Sequence, residues 1–137
     1  MQTKTRSSSR YIEIGYAIIR EGLPSPLMDR VAKELLADIA DRSKKQNIRT
    51  ENLVEPQAQA QNWRFWLELC RHPLILQQVR KQMECEELIL LMSHLIVKPP
   101  CDGLEVCWHQ DNTYWKSVVG TDACTVWLAI DDVDREN

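Results

Sequence analysis

Glu87-Leu88-Ile89-Leu90-Leu91-Met92-Ser93-His94-Leu95-Ile96-Val97-Lys98-Pro99-Pro100 divides the chain into two parts of different character. Residues 88–97 are dense in Leu, Ile and Val and end at a Lys-Pro-Pro stop, which fits a buried strand. Ser93 and His94 interrupt the run, and it is too short to cross a bilayer. Beyond it, Asp102-Gly103 is a turn signal. Residues 104–111 predict a second strand and residues 123–130 a third.

Upstream the spacing is helical. Leu27, Val31, Leu35 and Ile39 recur every four residues, with Met28, Ala32 and Leu36 beside them, the pattern of an amphipathic helix. Pro24 and Pro26 fall at its entry, where a missing N–H costs little. Residues 63–69 and 73–83 predict two shorter helices, divided by Arg71-His72-Pro73, with Trp63, Trp66, Leu67 and Cys70 packing on one side. His72 is placed for an exposed or capping role. Residues 11–19, rich in Tyr and Ile, predict a short strand with a bulge at Gly15. Residues 41–61 are polar, contain Pro56 and predict a long loop, a candidate lid over a pocket. Residues 1–10 predict a disordered tail. Helices precede strands, so the fold class expected is α+β to mainly β, in one domain over residues 11–137.

Composition narrows the function. The 137 residues carry 17 basic and 20 acidic side chains, a formal charge of −3, with 44% hydrophobic residues. Such a chain buries roughly two-thirds of its surface on folding, enough for one core. The acidic balance offers no field for phosphate backbones, so no nucleic-acid partner is expected. No secretory signal or membrane segment is read, and a cytoplasmic location is expected. The five cysteines form no CxxC pair, which points to reduced thiols rather than a zinc knuckle or disulfide framework.

The chemistry concentrates at Trp108-His109-Gln110-Asp111. On an extended backbone His109 and Asp111 project to the same side. An imidazole and a carboxylate so placed can occupy adjacent positions on one metal ion, as in a 2-His-1-carboxylate facial triad. Parity along the preceding strand puts Lys98, Ile96, His94 and Met92 on one face.

Gly15-Tyr16-Ala17-Ile18-Ile19-Arg20, Lys98-Pro99-Pro100, Trp108-His109-Gln110-Asp111 with Tyr114-Trp115, and Thr125-Val126-Trp127-Leu128-Ala129-Ile130-Asp131-Asp132 appear in an order and at spacings that resemble the phytanoyl-CoA dioxygenase family of Fe(II)- and 2-oxoglutarate-dependent oxygenases. The resemblance implies a double-stranded β-helix (a jelly roll) with the N-terminal helices packed on it. It implies His109 and Asp111 as ligands of Fe(II), and Lys98 and Trp127 as contacts of the co-substrate 2-oxoglutarate. Trp115 and His94 are candidate pocket-lining residues. A small organic or acyl substrate and O2 would be the partners. Related halogenases lack the carboxylate, so Asp111 implies hydroxylation. The family pattern also needs a second ligating His and an Arg for 2-oxoglutarate. Neither His72 nor His94 sits where that ligand should be, so both would lie beyond Asn137. The expectation is therefore a truncated fragment with little or no activity. A non-catalytic relative or interaction module, and a cupin-like or zinc hydrolase domain, are the competing readings.

Overall fold

A computed structural model describes residues 10–46, 52–98, 106–113, 118 and 122–134. Five helices, a two-stranded sheet and one 3-10 turn make up the regular structure of these residues.

Helix α1 (Arg10–Ile14) stands where the sequence predicts a strand. Gly15 ends it with φ +83°, and its N–H donates to the Tyr11 carbonyl at 2.8 Å. A left-handed glycine is a common helix stop, and it outweighs the strand preference of Tyr and Ile here. Residues 16–19 form no strand.

Helix α2 (Ser25–Gln46) is the long amphipathic helix that the four-residue spacing predicts. The Pro24 carbonyl caps it, accepting from Leu27 N and Met28 N at 2.9 and 3.1 Å. Val31 and Leu35 are buried on its inner face, while Leu36 is exposed. The helix continues through residues 41–46, which the sequence reading assigned to a loop. Polarity alone does not end a helix, and Arg42, Lys44, Lys45 and Gln46 are good helix formers.

The rest of that expected loop also carries structure. Strand β1 (Asn52–Val54) pairs antiparallel with β2 (His94–Ile96), in the register Asn52↔Ile96, Leu53↔Leu95, Val54↔His94. Glu55 N extends the pairing to the Ser93 carbonyl at 2.8 Å. Pro56 then opens the one-turn helix α3 (Pro56–Gln59). The strand predicted over 88–97 is thus only three residues long. A ladder extends no further than its partner, and Ile89, Leu90 and Leu91 lie exposed before it.

Helices α4 (Trp63–Cys70) and α5 (Pro73–Met83) lie where the sequence predicts them. Pro73 begins α5, and Nδ1 of His72 accepts from Leu74 N at 3.3 Å, which is the expected capping role. Within α4 the buried pair is Phe65 and Trp66, and Trp63 is exposed. Val31, Leu35, Ala60, Phe65, Trp66 and Leu95 form the core, with Val97 and Ile130 packed against it. Phe65 and Trp66 meet edge to face at 5.1 Å.

Among the described residues neither later strand forms. Residues 106–110 and 122–129 form no ladder, and Asp111–Thr113 is a 3-10 turn. The described residues are mainly helical rather than mainly β, and they hold one two-stranded sheet, not a jelly roll. A strand needs a hydrogen-bonding neighbour, and none among the described residues is paired with these segments. The turn expected at Asp102-Gly103 and most of the expected tail lie outside the described residues.

Candidate metal centre

His109 and Asp111 come together, though not on a pleated strand. The chain enters the 3-10 turn between them, closed by Thr113 N donating to the Gln110 carbonyl at 3.0 Å. Nε2 of His109 lies 3.3 Å from Oδ1 of Asp111. Nδ1 of His109 lies 2.8 Å from the Cys107 carbonyl. A carbonyl only accepts, so Nδ1 carries a proton. The Nε2 edge therefore faces the carboxylate either as a second N–H or as a lone pair turned toward a shared cation.

The far oxygen of Asp111 is engaged as well. Thr125 Oγ1 donates to Oδ2 at 2.7 Å, across 14 residues of sequence. Both ring and carboxylate are thus held from behind while their remaining atoms converge, the usual support of metal-binding side chains. His109 and Asp111 side chains are about 40% exposed. An ion pair so wet adds about 0–1 kcal/mol to folding, too little to explain the arrangement as a stability device.

The other candidates are spread out. Lys98 is exposed just past the end of β2. His94 and Ile96 lie on the exposed face of β2, opposite buried Leu95. Trp127 is exposed in the stretch 122–129, which carries no regular structure. Trp115 lies outside the described residues. Among the described residues no three His, Cys, Asp or Glu side chains are grouped to hold a metal, so His109 and Asp111 stand as a pair. The described cysteines are free thiols. An open cleft lies elsewhere, lined by Arg30 and Glu34 of α2 and by Asn62, Trp63 and Arg64, and none of these is a candidate ligand.

Two relationships escaped the sequence reading. Nothing in the local sequence around Thr125 marks its contact with Asp111. Tyr11 shares a hydrogen bond with the Cys124 thiol that, with burial, pushes its phenol up to about 12. Both link segments far apart in sequence, and no local spacing marks such pairs.

A model of the phytanoyl-CoA dioxygenase (PhyH) family matches residues 11–137. The chain belongs to this family. No curated protein and no solved structure matches it. Membership of the phytanoyl-CoA dioxygenase family makes an oxygenase-type function the coarse assignment. It also gives context to the His109–Asp111 pair, which falls inside the matched span. No described helix is long and apolar enough to cross a membrane.

Proposed function

We propose that this chain carries part of the active site of an Fe(II)- and 2-oxoglutarate-dependent hydroxylase acting on a small organic or acyl substrate. The observation that carries the reading is the convergence of Nε2 of His109 and Oδ1 of Asp111 at 3.3 Å, with Nδ1 anchored on a carbonyl. The donor set suits Fe(II): one imidazole nitrogen and one carboxylate oxygen, leaving other positions for co-substrate and oxygen.

In this reading His109 and Asp111 hold the metal. Lys98 presents its ammonium to a 2-oxoglutarate carboxylate as a point charge, and its exposed position at the end of β2 leaves it reachable. Trp127 offers an exposed ring beside the same co-substrate. His94 remains a candidate for lining the pocket, as does Trp115, which lies outside the described residues. Iron held by His109 and Asp111 would supply oxygen activation, coupling decarboxylation of 2-oxoglutarate by O2 to hydroxylation of the substrate. The protein would orient the two ligands and position the co-substrate.

The jelly roll known for the family belongs to the same proposal. Ile89, Val106, Val126 and Trp127 are exposed on stretches without a ladder partner among the described residues. Apolar side chains of this kind cover one another when strands pair into packed sheets.

Calorimetric titration of 2-oxoglutarate into the chain, with and without Mn(II), tests the reading. Binding that requires the cation and weakens in Lys98→Ala is expected. Absence of 2-oxoglutarate binding from the cation-loaded chain would overturn it.

A further inference from the structure

We infer that Thr125 is a positioning residue of the cation site, whose hydroxyl selects which oxygen of Asp111 is left to bind metal. The inference rests on the reading of His109 and Asp111 as ligands and adds to it a side chain remote in sequence.

Thr125 Oγ1 donates to Oδ2 of Asp111 at 2.7 Å, and it is the other oxygen, Oδ1, that faces His109 Nε2. A free carboxylate rotates and offers either oxygen, or both, to a cation. A hydroxyl on Oδ2 removes that choice. It occupies one oxygen, fixes the plane of the carboxylate and directs Oδ1 at the imidazole.

The threonine is suited to the task. Its β-branched side chain is stiff at χ1, so the hydroxyl is held rather than searching. It stands between Cys124, which is bonded to Tyr11, and the residues leading to Ile130, which packs against the core. The stretch carrying Thr125 therefore has contacts with the rest of the fold at Cys124 before it and at Ile130 after it. The Cys107 carbonyl holds the imidazole through Nδ1. Each ligand is then supported by a partner of the chemical type its own atom requires: an acceptor for the ring N–H and a donor for the carboxylate.

A purely structural role for Thr125 predicts something different. The bond is solvent-exposed, so its loss should leave folding almost unchanged. Metal affinity and folding thus separate the two roles.

The experiment titrates Mn(II) into the full chain, following free Mn(II) by electron paramagnetic resonance, and records the Co(II) ligand-field spectrum. Thr125→Val, Thr125→Ser, His109→Ala and Asp111→Ala are compared with the parent chain. Thr125→Val is expected to weaken Mn(II) binding by about tenfold to a hundredfold and to alter the Co(II) spectrum, with its thermal midpoint kept. Thr125→Ser restores the hydroxyl and should bind as the parent does. Parent-like affinity in Thr125→Val while Asp111→Ala binds poorly would overturn the inference and leave the ligand reading standing. Equal weakening in Thr125→Ser and Thr125→Val would also overturn it. Parent-like affinity in both His109→Ala and Asp111→Ala would overturn the ligand reading first, and this inference with it.

Discussion

The indole N–H of Trp66 donates to Oδ2 of Asp38 at 2.6 Å, joining α4 to α2 across 28 residues of sequence. Both side chains are buried, Trp66 at 2% exposure and Asp38 at 5%. An acidic residue thus sits on the apolar face of α2, where the helical period would otherwise place a hydrophobic one. Removing the acceptor leaves a buried N–H without its partner. Asp38→Ala should destabilise the chain by about 1–3 kcal/mol, and Asp38→Asn by less because an acceptor oxygen remains. Trp66→Ala should cost about 3–5 kcal/mol through the cavity it leaves. Denaturant unfolding followed by tryptophan fluorescence or far-ultraviolet circular dichroism measures all three, and a neutral Asp38→Ala would show that the bond is dispensable.

Gly15 tests how α1 ends. A Cβ there would meet no atom within 4 Å, so the cost of a side chain is conformational alone. Gly15→Ala forces a positive φ on an L residue and should destabilise by about 1–2 kcal/mol. Gly15→Asn, which tolerates the left-handed region, should lose less. A stabilised Gly15→Ala variant would mean that the residue does not hold φ +83° in solution.

The phenol of Tyr11 offers a spectroscopic check on the packing of α1 against the stretch 122–130. Its hydrogen bond with the Cys124 thiol, and then burial, raise its pKa to about 12. An ordinary tyrosine ionises near 10. The raised value favours the neutral form in the folded state, so this contribution is complete below the unfolded pKa. It is lost as pH rises from about 10 through about 12. Ultraviolet titration of tyrosinate should show a late-ionising component that Tyr11→Phe removes. Cys124→Ala should bring it back toward the ordinary range. No late-ionising component in the parent chain would contradict the contact.

Much of the helical half was legible in the sequence. The four-residue spacing of Leu27, Val31, Leu35 and Ile39 marked α2, and His72-Pro73 marked the start of α5, because these signals are local. The sheet was not legible. Strand pairing depends on a partner from elsewhere, and β1 lay inside a stretch read as loop. Gly15 misled for a related reason: a glycine inside a run of Tyr and Ile reads as a bulge or as a helix stop, and only the backbone decides. At the candidate site, the pairing of His109 with Asp111 was readable from a two-residue spacing, although a 3-10 turn produces it instead of a pleat. The Thr125 support was not readable, since 14 residues separate donor from acceptor.

The central claim is that His109 and Asp111 bind one divalent cation together. Calorimetric titration of Mn(II), a redox-stable stand-in for Fe(II), into the parent chain and into His109→Ala and Asp111→Ala measures it most directly. One saturable site in the parent, weakened more than about tenfold by either substitution, is the result predicted. Undiminished binding in both variants, or no saturable binding by the parent, would contradict the account.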